Sequence, residues 1–258
     1  MVSDASIGSR VLRRIDRDLR RWRSVGYFRR LKGAYKGRRG FVIGNGPSLT
    51  PADLDRIQGE ISIASNKIYL IFERTRWRPT FHTMIDPLVI QKIGGEIHQH
   101  VESTHLPDIY ASMVPHCRQH CYGINDFVRG PASEGPQFSA NLTKGVWCGY
   151  TVTYDNLQFA VHLGLNPIYI LGCDHYYQGE HNVTTNVVTR ATANNHFDPR
   201  YRSPGEVVNP APVAEMTNAY EHAAEFGRRN GVQILNATRG GHLEVFPRAE
   251  LERVLTSV

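Results

Sequence analysis

The sequence predicts an α/β fold built on a mainly parallel sheet, and three observations carry that expectation. From Gly40 onward, short apolar runs alternate with helix-like stretches, the order produced when parallel strands are joined by crossover helices. One run, Ile-Tyr-Ile-Leu within residues 167–172, is apolar enough to be a strand covered on both faces. Polar residues then cluster just after the expected strand ends: Asn45 to Ser48, Asn66, Asp86, and Asp174 to Tyr177. In an open parallel sheet these positions lie along one edge, where ligands bind.

Residues 40–44 form the first expected strand and end in Gly-Asn-Gly-Pro-Ser-Leu. Thr50-Pro51 opens a helix, with threonine as N-cap and proline at the first helical position. Residues 61–65 alternate as a second strand, and 80–86 read as a third that ends at an acid before Pro87. A helix is expected over 87–100 and a strand over 108–113. The stretch 122–149 is rich in Gly, Pro, Ser and Asn and reads as a loop-rich lid. A helix over 151–163 stops at Gly164, and the strand over 167–172 follows. About forty nonperiodic residues come next, then a helix over 213–229, a strand over 232–235 and a short terminal helix.

The chain has 258 residues, of which 41% are hydrophobic and 21% charged, so it can bury a core without any apolar run long enough to span a membrane. With no secretory leader pattern and four irregularly spaced cysteines, a reducing cytoplasm is expected. The net charge of +6 divides unevenly. Residues 10–39 hold 13 Lys/Arg against Asp16 and Asp18, a net of +11, while the remainder carries −5. A nucleic-acid-binding domain would carry its positive charge on the folded body, so no nucleic acid is expected as a partner. The boundary at 39/40 separates a basic extension, 1–39, from a catalytic domain, 40–258.

Within the extension, Leu12, Ile15, Leu19 and Trp22 recur at helical steps among arginines. Such a helix suits an anionic membrane surface, which would make the protein peripheral on the inner face of the membrane. It equally suits packing on the domain or on a second subunit.

The Gly44-Asn45-Gly46-Pro47-Ser48 loop joins a strand to a helix start, where backbone N–H groups can approach a phosphate. It is neither a P-loop nor the dinucleotide fingerprint, and an ordinary capped turn is the alternative reading. Asp174-His-Tyr-Tyr177 supplies phenols suited to a phosphate leaving group and a carboxylate suited to a ribose hydroxyl or a metal. His196 lies in the nonperiodic stretch, as a loop base would. His116-Cys-Arg-Gln-His-Cys121 has zinc-ligand residue types, but the His and Cys pairs interleave and no second pair follows at a usual separation, so no metal is assigned.

Segments 41–49, 65–69, 157–177 and 195–197, with the ending 236–248, resemble the bacterial glycosyltransferase family 42 sialyltransferases. They also resemble the broader family named for the archaeal 6-hydroxymethylpterin diphosphokinase. The resemblance implies a Rossmann-like sheet flanked by helices and a nucleotide-activated, CMP-linked sugar donor in surface-glycan assembly. It implies a glycan or lipid-linked acceptor, a multimeric chain and no cofactor. By the same resemblance Gly44, Asn45, Gly46, Pro47, Ser48 and Asn66, with Asp86 and Asp174, line the donor nucleotide site. Tyr176, with Tyr177 in place of a second tyrosine expected near Asn182, meets the phosphate, and His196 deprotonates the acceptor. Arg239 or His242 would reach the site from the terminal motif. The Ser-Gly of the sialyltransferases at the central helix start is replaced by Cys148-Gly149 or Val152-Thr153. The alternative chemistry is pyrophosphoryl transfer from ATP to a pterin or other small alcohol, with Mg²⁺ held by Asp86 and Asp174. A noncatalytic nucleotide-binding or scaffold role is a third reading.

Overall fold

The computed structural model describes residues 7–125, 137–178, 189–190, 195–209 and 211–256. In chain order its elements begin with α1 (Ile7–Leu31), β1 (Gly40–Ile43), α2 (Pro51–Arg56), β2 (Ile61–Ser65) and β3 (Phe81–Thr83). They continue with α3 (Pro87–Ile93), β4 (Ser103–Pro107), β5 (Arg118–Tyr122), β6 (Ile124–Asn125), β7 (Val146–Trp147) and α4 (Val152–Leu163). The last are β8 (Ile168–Leu171), β9 (Thr189–Arg190), β10 (Val207–Val208), α5 (Val213–Asn230), β11 (Ile234–Asn236) and α6 (Leu251–Thr256).

Seven strands form one parallel sheet in the order β11-β8-β1-β2-β3-β4-β5, flanked by helices as a Rossmann-like fold. From β1 the chain builds outward through β2 to β5, then returns to add β8 and β11 on the other side. The order therefore reverses between β1 and β8, which is where such sheets open a crevice. The strand pleat sends alternate residues to opposite faces: Val42 joins the core under α4 and α5, while Phe41 and Ile43 join the core with α2 and α6. A third cluster packs α3 against β4 and β5.

The local signals read correctly at the caps. Thr50 and Asp53 form a reciprocal capping box with Pro51 at the first helical position, which fixes where α2 begins. Thr151 caps α4 by accepting from Thr153 N, and Gly164 ends it in left-handed geometry at φ 82. Nearly every residue of α4 is buried, so it is the central helix of the sheet's crowded face.

The expected strand over 108–113 is instead a 3₁₀ helix, Asp108–Met113, and the strand lies just before it as β4. Ile109 and Met113, apolar residues of that stretch, are exposed. The real strand buries polar groups: His82 and Thr104 hydrogen-bond at 2.9 Å, and His105 Nδ1 meets His82 O at 2.9 Å. Likewise Arg118–Tyr122 looks too polar for a strand, yet forms the sheet's edge. The helix expected over 87–100 stops at Ile93, where Gly94 lets Met113 O approach within 2.1 Å of the position a Cβ would take. Within the expected lid, β6 and β7 pair in parallel across a short 3₁₀ turn, Leu142–Lys144; residues 126–136 lie outside the described residues.

The basic helix α1 is docked along its second half. Ser24 Oγ accepts from Cys121 N at 2.8 Å, and Tyr27 stacks on His120 at 3.6 Å, so α1 covers the open edge of β5. Phe28 is buried in the main core, and its carbonyl meets His162 Nε2 at 2.8 Å. Gly33, Tyr35 and Gly37 then donate to the last carbonyls around α4, at His162, Leu163 and Gly164. Its apolar stripe, however, is left in solvent.

A candidate active site at the sheet's switch point

The loops after β1 and β8 meet at the reversal of strand order and wall a cleft of 340 Å³. Ser48 ties the two loops together: its hydroxyl donates to Asp174 Oδ2 at 2.8 Å and its N–H to the same oxygen at 3.3 Å. Both glycines of the β1 loop are required by this closeness. A Cβ on Gly44 would stand 2.3 Å from Gly172 O, and one on Gly46 would stand 1.9 Å from Asp174 Oδ2. The glycine pattern therefore records close packing between two loops, in addition to any approach by a ligand. Asp174 is further held from behind, where its carbonyl accepts from His242 N at 2.7 Å.

Of the residues singled out in the sequence, Gly44, Asn45, Gly46, Asn66, Asp86, Asp174, Tyr176, Tyr177 and His196 line this one cleft. Pro47 is exposed, and Ser48 acts on the cleft through Asp174. The His242 ring lies tilted beside that of Tyr176, with centroids 5.2 Å apart. Arg239 does not line the cleft and pairs with Asp53 in α2. The position near Asn182 lies outside the described residues. Both candidate replacements for the Ser-Gly pair, Cys148-Gly149 and Val152-Thr153, line the cleft, since Thr151 between them caps α4 and turns the helix N-terminus toward it.

Backbone strain concentrates here. Asn66, Tyr150 and His175 have φ of 56, 60 and 54, and all three line the cleft. They are the described non-glycine residues with left-handed backbone, a conformation that costs about 1–2 kcal/mol and persists where surrounding contacts impose it. Asn tolerates it best, and Asn66 O accepts from His82 Nε2 at 2.9 Å. His175 is pinned by a 2.7 Å contact between its Nε2 and Thr217 Oγ1.

The electrostatics follow from burial. Asp174 is raised above the usual carboxylate range because burial outweighs the Ser48 hydrogen bonds. Asp155, in the first turn of α4, is pushed well above that range by burial alone. His196 is pushed down to about 3 by burial and by the cations Arg202 and Lys67, so its imidazole is neutral at pH 7. It stacks flat on Tyr201 at 3.8 Å. Beneath Tyr201, Lys67 donates to the Tyr201 carbonyl at 2.6 Å and lies 4.0 Å from Glu206, which also takes Lys92 at 2.5 Å. Burial lowers Lys67 to about 8.

Asp155, Tyr150 and Arg202 were not among the predicted site residues, and His175 entered only as part of the Asp174–Tyr177 run, with no role of its own. Asp155 carried a usable signal, an acid on the apolar face of a helix that leaves little surface exposed. Arg202 carried none, because it follows the nonperiodic stretch.

The model of the family described as 6-hydroxymethylpterin diphosphokinase MptE-like matches residues 13–180. The chain belongs to that MptE-like family. No curated protein and no solved structure matches it. The MptE-like match runs from α1 through both loops of the switch point, Gly44–Ser48 and Asp174–Tyr177. It ends before His196 and Arg202, which also line the cleft. Membership indicates a diphosphokinase-like or related transferase. No helix among the described residues is long and apolar enough to cross a membrane.

Proposed function

We propose that this chain is a nucleotide-dependent transferase that moves a sugar from a donor with a nucleoside monophosphate leaving group to an acceptor hydroxyl, in surface-glycan assembly. The observation that carries the reading is the charge of the cleft. Among the described lining residues Arg202, which also pairs with Glu206 at 3.4 Å, is the one permanent cation, against the carboxyls of Asp86 and Asp174 and an Asp155 that burial pushes toward its neutral form. A single phosphate at Arg202 and the N-terminus of α4 suits that balance, whereas the roughly four charges of a triphosphate do not without added cations.

In this reaction the acceptor O–H gives its proton to His196 while its oxygen bonds the anomeric carbon. The bond from that carbon to the phosphate oxygen breaks, and its electron pair leaves on the phosphate. Phenol donors from Tyr176 and Tyr177, together with the α4 N–H groups, stabilise the departing charge. His196 starts neutral, as a base must; burial is the main cause that holds it down, and phosphate bound at Arg202 offsets the smaller cationic contribution and so raises its basicity in the complex. Tyr176→Phe should lower turnover with little change in stability, and His196→Ala should lower turnover beyond any stability lost with its stack on Tyr201; unaltered rates would remove both from the mechanism.

The family's name supports a second reading, pyrophosphoryl transfer from ATP to a pterin or similar alcohol. Mg²⁺ is bound through phosphates and water with one or two carboxylates, so Asp86 and Asp174 would hold it. Their fit is partial. Asp86 Oδ1 already accepts from Leu88 N at 2.9 Å and Asn209 Nδ2 at 2.7 Å, and Asp174 Oδ2 is taken by Ser48. The described residues contain no group of three or more His, Cys, Asp or Glu suited to a metal. Turnover with EDTA decides between the two: sugar transfer persists, and pyrophosphoryl transfer stops.

A further inference from the structure

Helix α1 presents two opposite faces with different fates. At about 100° per residue, the docked positions Ser24, Tyr27, Phe28 and Leu31 span one side, and Leu12, Ile15, Leu19 and Trp22 centre about 150° away. The second set is therefore not a continuation of the buried face. Leu12 is 68% exposed, Ile15 50%, Leu19 49% and Trp22 75%. Further along the same outward side stand Arg23, Arg29 and Arg30, all exposed. The two acids are already engaged: Asp16 with Arg20 at 2.8 Å, and Asp18 with Arg14 at 4.0 Å and Arg17 at 3.8 Å.

We infer that the outward face of α1 docks on an anionic lipid surface, with Leu12, Ile15, Leu19 and Trp22 among the acyl chains and Arg23, Arg29 and Arg30 on the headgroups. Charge complementarity selects this occupant. The segment 10–39 carries +11, so a second copy seated on this face would bring that charge against itself, whereas anionic headgroups neutralise it. The rest of the chain carries −5, which turns the body away from the same surface and orients the molecule. A tryptophan at the border of an apolar stripe and a basic cluster matches the layered chemistry of a membrane interface. The docked half of α1 ties this face rigidly to the sheet through Ser24 and Phe28.

The test is co-sedimentation of the full chain with vesicles of phosphatidylcholine alone or mixed with phosphatidylglycerol, with the oligomeric state measured in parallel by light scattering. The chain should sediment with the mixed vesicles and not with the neutral ones, and raised salt should weaken binding. Leu19→Asp/Trp22→Asp, and separately Arg23→Glu/Arg29→Glu/Arg30→Glu, should each reduce binding at least about tenfold. Because these side chains are exposed, both variants should keep the parent's thermal midpoint. Failure to bind the mixed vesicles, equal binding to neutral vesicles, or undiminished binding by the variants would overturn the inference. So would a dimer that Leu19→Asp/Trp22→Asp splits without any lipid binding, since the face would then be a subunit interface.

Discussion

Substituting Gly46→Ala tests whether the two loops of the switch point form one mechanical unit. The new methyl would stand 1.9 Å from Asp174 Oδ2 and 2.8 Å from Gly172 O, well inside contact distance, so the Asp174 carboxylate must move. Overpacking of this kind costs about 1–3 kcal/mol. Moving Asp174 also disturbs its two hydrogen bonds from Ser48. Asp174→Ala alone removes those bonds, a loss of about 2 kcal/mol for contacts to a charged acceptor. If the clash with the carboxylate dominates, the double variant has nothing left to collide with at that point. Its loss should fall short of the sum of the single losses by at least about 1 kcal/mol, a coupling typical of residues in contact. In thermal denaturation Gly46→Ala should lower the midpoint by about 2–12 °C, at roughly 2–4 °C per kcal/mol for a chain of this size. Losses that add to within about 0.5 kcal/mol would refute the idea that the glycine is there to clear Asp174.

Further outcomes follow from the buried polar groups. Fully buried His82 and His105 are lowered to about 4 and about 3, so the unfolded chain binds protons that the folded one does not, and stability should fall as pH drops below about 6.5. Together they contribute about 2.7 kcal/mol per pH unit at the steepest point, and thermal midpoints between pH 7 and pH 4.5 would register it. Asp155 runs the other way: its folded form holds a proton that the unfolded form releases above about 4. Asp155→Asn should therefore stabilise the protein at pH 8, with an advantage that shrinks toward pH 4; a loss of stability at pH 8 would contradict the burial account. Ser24→Ala should cost about 1–2 kcal/mol in denaturant unfolding by leaving the Cys121 N–H without its acceptor, and no measurable loss would mean that α1 does not secure the β5 edge.

The central strands were legible because their side chains match their surroundings. Apolar β1, β2 and β8 lie in the middle of the sheet, and the caps Thr50, Thr151 and Gly164 announce their helices locally. At the β4–β5 end, the strands are held by contacts between residues distant in sequence. His105 is buried by Tyr27, Phe28 and Phe159, and β5 is completed by α1, so neither shows an apolar rhythm. The amphipathic character of α1 was plain, but the face that packs, with Ser24 and Phe28, is less apolar than the stripe that does not. At the site, position after a strand end located Gly44–Ser48 and Asp174–Tyr177. The left-handed backbones of Tyr150 and His175 and the arrival of Arg202 are products of tertiary packing, with no local signature.

Nucleotide binding to the cleft tests the central claim most directly. Titration calorimetry with CMP, CDP, AMP and ATP, with and without Mg²⁺, should give metal-independent binding with a preference for the cytidine monophosphate. Arg202→Ala should weaken that binding at least about tenfold, as expected for loss of a charged contact to phosphate. Tight ATP binding that requires Mg²⁺ would contradict sugar transfer and favour the pyrophosphoryl reading. Absence of binding by every nucleotide would contradict a nucleotide-dependent transferase altogether.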